Sequence, residues 1–201
     1  MKSLLRLFIL GALVFTVSCK NDSKEDTETT TDTTQESTEQ KTQEVPETVQ
    51  TDKRLVVQLS PKSDSNVEGK VIFTQKEGIV NMLASLKGLS EGEHAIHIHA
   101  KADCSSPDGK STGGHWNPTG QPHGKWGAET GYHKGDIGNF TVGADGRGTV
   151  TMNTDEWCIG CGDETKDILG KAIIVHQGVD DFTSQPSGAA GSRVSCGGII
   201  E

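Results

Sequence analysis

Six of the seven histidines, with one aspartate, fall at spacings that could assemble a two-metal site. They are His97 and His99 in EHAIHIHA, His115 in GGHWNP, His123 in QPHGKW, His133 and Asp136 in YHKGD, and His176 in IIVHQG. Imidazole binds copper and zinc well, and one carboxylate among imidazoles still suits zinc. Solvated surface histidines would have no reason to gather in such patterns. His97 and His99 are two apart in an apolar strand pattern, so both project to one face. That pair alone would equally serve as two hydrogen-bonded histidines in a polar sheet face. The stretch that follows changes the balance. His115 is followed by His123 eight residues on, His133 ten beyond that, and Asp136 three further. Three histidines and a carboxylate within 22 residues can close a tetrahedral zinc site. A loop of this length would be poorly ordered without a metal. His176 ends the apolar run Ala172-Ile173-Ile174-Val175, which places it at a strand terminus.

The elements that must position these residues are β-strands. Residues 54–59, 67–74, 79–86, 94–100, 149–152 and 171–176 read as strands, and Ile199-Ile200 closes a last one. Val67, Val71 and Phe73 share one alternation. Glycine-containing breaks at 77–78, 87–88 and 145–146 punctuate them. No long stretch holds a 3.6-residue apolar period, so a sandwich or barrel is expected. Two connections are long, 100–138 and 177–194, and long loops in a compact domain are usually functional.

Ahead of this all-β part, residues 1–19 form a targeting segment: Lys2 and Arg6, then an apolar run from Leu4 to Val17, too short for a comfortable membrane span. Residues 20–52 are rich in Thr, Glu, Asp and Gln and read as a disordered tether that cannot bury enough area to order itself. Residues 53–201 are a normal size for one domain. The chain carries 19 Lys+Arg against 28 Asp+Glu, a net charge of −9, and the domain has no basic tract, so nucleic acid is not an expected partner.

The run ending in Phe15-Thr16-Val17-Ser18-Cys19 resembles a bacterial lipoprotein signal, in which the cysteine is lipidated after cleavage. Thr16 stands where leucine is most usual, and ordinary secretion is the alternative. The lipoprotein reading implies a cell-envelope location, periplasmic or outer-membrane-associated, with membrane attachment through Cys19.

The motifs His97-Ile98-His99, Gly114-His115-Trp116-Asn117-Pro118, His133-Lys134-Gly135-Asp136-Ile137-Gly138-Asn139 and Gly191-Ser192-Arg193-Val194-Ser195-Cys196-Gly197-Gly198-Ile199 resemble copper/zinc superoxide dismutase, in the family's order and over residues 55–200. The resemblance implies an eight-stranded Greek-key β-barrel, also described as a flattened sandwich. It implies copper on His97, His99, His115 and His176, and zinc on His115, His123, His133 and Asp136, with His115 shared. It assigns superoxide as substrate, His115 as proton carrier and Arg193 as the cation that orients the anion. Asp180 matches an aspartate that bonds the non-ligating nitrogens of His97 and His123, and His94 a structural histidine. Cys104 and Cys196 match the family's disulfide, a bridge that contributes on the order of 2–4 kcal/mol. Homodimers are common in the family.

Cys158 and Cys161 form a C-x-x-C outside the family pattern. A thioredoxin-like helix context and a second C-x-x-C are both lacking, so a local structural disulfide is the favoured reading. Lys101, Lys110 and Lys134 are candidates for steering an anion, although each also reads as a plain solvated lysine. The connection from His176 to Arg193 carries little charge, which leaves the source of steering open. Two other functions fit less well. A copper-binding or copper-delivery module on the same barrel would typically lack copper ligands or Arg193. A zinc hydrolase would need H-E-x-x-H or an open zinc position.

Overall fold

A computed structural model of the chain describes residues 52–201. The targeting, tether and lipidation readings at residues 1–51, Cys19 included, lie outside the described residues. Eight strands close a barrel: β1 Lys53–Pro61, β2 Glu68–Lys76, β3 Ile79–Lys87, β4 Gly92–His99, β5 Gly138–Val142, β6 Arg147–Thr154, β7 Ala172–His176 and β8 Arg193–Gly198. The order around it is β1-β2-β3-β6-β5-β4-β7-β8, every neighbouring pair antiparallel. The step from β3 to β6 and from β4 to β7 makes the Greek-key crossovers expected of this fold.

Strict alternation builds the first side. In β3, Val80, Met82, Ala84 and Leu86 point inward, while Asn81, Leu83 and Lys87 face solvent. Val71 and Phe73 of β2 and Val57 and Leu59 of β1 meet them in the barrel interior. The opposite side does not alternate in burial. All five residues of β7, and His94 through His99 of β4, are buried. Their inward residues are Ile96, Ile98, Ile173 and Val175, and the outward ones are covered by the two long connections, 100–137 and 177–192.

The strands differ from the sequence reading at several points. β5 was not expected, and the last strand is Arg193–Gly198 rather than Ile199-Ile200. Gly197 and Gly198 lie within β8, in the barrel wall, where a side chain would not fit. A Cβ on Gly197 would sit 2.5 Å from the Gln58 carbonyl oxygen. β4 also ends at His99, one residue early, because Ala100 turns to bond Gly114.

Candidate metal centre

The register of β4 and β7 places two histidines directly. His97 lies opposite Ile174 and His99 opposite Ala172. His176 ends β7 at an irregularity where it faces Arg193 of β8. The loop from β4 then docks on the edge it has just left. The Trp116 N–H donates to the Ile98 carbonyl at 2.8 Å, Ala100 N–H to Gly114, and Gly135 N–H back to Trp116. His115 is thereby held beside His99. Gly135 is essential to this docking, since a Cβ there would lie 2.1 Å from the Ile98 oxygen.

Six histidines and Asp136 converge as two groups that share His115. One is His97, His99, His115 and His176; the other is His115, His123, His133 and Asp136; all seven residues are buried. In four of the rings one nitrogen is occupied by an oxygen that can only accept. His97 Nε2 donates to Asp180 Oδ2 at 2.9 Å, and His123 Nε2 to Asp180 Oδ1 at 2.8 Å. His99 Nδ1 donates to the Gly113 carbonyl at 2.9 Å and His176 Nδ1 to that of Gly191 at 3.4 Å. Such bonds fix the tautomer and leave the other nitrogen with a free lone pair. The nitrogens left over are His97 Nδ1, His99 Nε2, His115 Nε2, His176 Nε2, His123 Nδ1 and His133 Nδ1, each buried without a well-directed hydrogen bond, the last two lying 3.0 and 3.2 Å from Asp136. Buried polar atoms without partners are costly. Six converging orphan imidazole nitrogens are the donor set of a metal centre, so the residues fit one.

The electrostatics of the two groups differ. Burial, aided by neighbouring imidazoles, holds His99 and His176 well below the usual imidazole range. Burial likewise lowers His115 to about 4, against the opposing pull of Asp136. In the second group Asp136 reaches three rings, at 2.8 Å from His115 Nδ1, 3.0 Å from His123 Nδ1 and 3.2 Å from His133 Nδ1. Burial would lower His123, but Asp136 and Asp180 prevail and lift it to about 9. Those same imidazole contacts hold both carboxyls well below the ordinary carboxylate range despite burial.

Further residues brace the groups. Asn139 clips the Asp180 backbone at both its N–H and its carbonyl, 2.8 Å each. Gln185 does the same to His123, 2.9 Å each. Glu156 accepts from the Tyr132 hydroxyl at 2.6 Å and from Lys134 Nζ, the two residues flanking His133. Gly188 leaves the room in which Asp180 meets His123. Gln185 and Glu156 carry no sequence signal of their own, and Asn139 only its place at the end of the His133–Asn139 motif; their roles depend on contacts 62, 22–24 and 41 residues away.

An open cleft reaches His99, His115 and His176, with Arg193 on its wall. Arg193 is half-buried, and its Nη1 donates to the Gly109 carbonyl at 2.9 Å and Thr112 Oγ1 at 3.1 Å. Of the lysine candidates, Lys110 also lines the cleft but pairs with Asp108 at 2.9 Å. Lys134 is bound to Glu156, and Lys101 is exposed outside the cleft. His94 stands apart from both groups, its Nδ1 3.2 Å from the His176 carbonyl and its Nε2 by Ser90. Cys104 is bonded to Cys196, tying the long loop to β8, and Cys158 to Cys161.

Comparison with known proteins gives a consistent picture. The family model described as copper/zinc superoxide dismutase matches residues 67–199. A SOD-like protein from Bacillus subtilis superposes with a TM-score of 0.64 at 33% identity, covering 72% of this chain and 97% of that one. A double mutant of a SOD-like protein from the same organism gives 0.64 at 35% identity, covering 73% and 97%. The clock protein EA4 gives 0.63 at 31% identity, covering 73% and 94%.

Proposed function

The chain belongs to the copper/zinc superoxide dismutase family, and from that premise we propose that it dismutates superoxide, converting two anions and two protons to dioxygen and hydrogen peroxide. The observation that carries the proposal is the set of six orphaned imidazole nitrogens in two groups sharing His115. His97, His99, His115 and His176 would hold copper. His115, His123, His133 and Asp136 would hold zinc. Copper supplies the one-electron redox step, while zinc has no accessible redox step and contributes fixed charge.

The chain's own residues have separable tasks. His115 turns Nδ1 toward Asp136 and Nε2 toward the strand-borne group. The Nδ1 side anchors the ring, so Nε2 is the atom that can take and return a proton. Burial disfavours the imidazolium, which suits a ring that holds a proton only transiently. Arg193 stays cationic on the cleft wall, which suits a small anion. Asp180 orients one ring of each group through a single carboxylate. The cell envelope, with a lipid on Cys19, completes the proposal; Cys19→Ser protein that still partitions with membranes would refute that part.

The test is a dismutation assay on protein reconstituted with copper and zinc. His115→Ala and Arg193→Ala are each expected to lower the rate at least tenfold, Arg193→Ala with copper content unchanged. Tight copper binding without turnover in the wild type would favour the copper-delivery reading instead.

A further inference from the structure

The connection between β6 and β7 carries a feature that dismutation does not use, the Cys158–Cys161 pair. Cys158 is buried and Cys161 exposed. The turn is held almost entirely without its disulfide. Cys158 N–H donates to the Lys166 carbonyl at 2.8 Å, and Ile168 N–H to that of Cys158 at 3.0 Å. Ile159 N–H donates to Gln75 Oε1 at 2.8 Å. Lys53 Nζ donates to the carbonyls of Ile159 at 2.5 Å and Gly160 at 3.2 Å. Asp167 gathers the N–H groups of Gly160, Gly162 and Leu169 at 2.9–3.0 Å. A bridge between residues three apart closes the kind of short loop where cross-linking removes least chain entropy. Its structural contribution is therefore largely redundant, and its chemistry is what distinguishes it.

We propose that this pair is a reversible thiol site whose reduced form binds one copper(I) ion. The bridge itself holds the two sulfurs together and an Asp167 oxygen lies within 4.8 Å of both, so opening the bridge leaves two thiols on one tight turn beside a carboxylate. Copper(I) is the fitting ion because thiolates are soft ligands. Zinc would want four donors, and no fourth histidine, cysteine or carboxylate joins the group among the described residues. Asp167, its oxygens engaged by backbone N–H groups, contributes negative charge beside the pair, which favours a bound cation over free thiolates. The opening step balances with an external dithiol. Its thiolate attacks the exposed Cys161 sulfur, breaking the Cys158–Cys161 bond and releasing the Cys158 thiolate. The second thiol of the reductant then displaces Cys161, and the reductant leaves as its own disulfide. Two electrons pass to the pair. Copper(I) then replaces the two thiol protons with no change in oxidation state.

The test uses the full chain under anaerobic conditions, opened with dithiothreitol and titrated with copper(I) against bicinchoninate. Reduced wild type should bind one more copper(I) per chain than reduced Cys158→Ser/Cys161→Ser protein, with sulfur ligands seen by X-ray absorption. The remaining cysteines are common to both proteins and cancel in the difference. The single variants Cys158→Ser and Cys161→Ser provide a second control should the double variant not fold, and each should lack the extra copper. Equal copper in reduced wild type and these controls would overturn the proposal. So would a pair that opens only when the domain unfolds. The count does not depend on dismutation, so failure of either proposal leaves the other standing.

Discussion

His97 and His99 stand on β4 and His176 ends β7, whereas His123, His133 and Asp136 hang in the loop between β4 and β5. The strand-borne histidines are spaced by barrel hydrogen bonds and by Ile96, Ile98, Ile173 and Val175 packed beneath them. They contain no carboxylate, and burial keeps two of the rings neutral. The loop-borne group is spaced by side-chain bonds to Asp136, Asp180, Gln185 and Glu156. The contrast teaches that one half is organised by the fold before an ion arrives. The other relies on a buried anionic hub that an ion would complete.

Removing a loop ligand should separate the halves most sharply. His133→Ala is expected to lower zinc affinity more than a hundredfold while copper affinity changes less than tenfold, both read by chelator competition. Equal losses would show that the halves are one cooperative unit. Gly188→Ala attacks the bond between them. Gly188 has φ +66, and its Cβ would lie 1.8 Å from Asp180 Oδ1, so Asp180 must leave His97 and His123. Orienting partners of metal ligands are worth about 10–100-fold in affinity, and here both metals should weaken together.

Glu156→Ala should act on the loop half alone, lowering zinc affinity several-fold and stability by about 1 kcal/mol, the scale of partly exposed pairs. Burial would raise the Glu156 carboxyl, but Lys134 and Tyr132 hold it below its ordinary value. Its contribution is therefore present above the ordinary glutamate range and lost as pH falls through the folded value. The difference in Tm between wild type and Glu156→Ala, measured against pH, should shrink toward zero in acid. The smallest effect belongs to the cleft rim. Asp108 engages Lys110, so Asp108→Asn should raise the rate with superoxide less than tenfold and steepen its decline with salt. A salt-independent rate in both proteins would remove steering from the account.

The alternating side of the barrel was readable because Val80, Met82, Ala84 and Leu86 face the core while their neighbours meet water. β5 escaped because Phe140 and Val142 give only a brief alternation after a glycine and asparagine. The members of both histidine groups were legible as residues, since metal-ligand chemistry needs particular side chains. Their braces were not. Glutamine and glutamate are ordinary surface residues until the fold brings Gln185 to His123 and Glu156 to Lys134, and the motif that holds Asn139 does not say that it bonds Asp180. The neutralisation of Lys110 by Asp108 was likewise invisible, although the two are neighbours, because charge alone does not say which face of the loop a lysine takes.

Turnover per copper is the decisive measurement for dismutation by this chain. Protein loaded with copper and zinc would be mixed with a large excess of superoxide generated by pulse radiolysis, and superoxide and peroxide followed per copper. Each copper should consume many superoxide anions, faster than they decay without protein, with one hydrogen peroxide formed for every two. Fast consumption of only one superoxide per copper, followed by decay at the spontaneous rate, would overturn the dismutase reading.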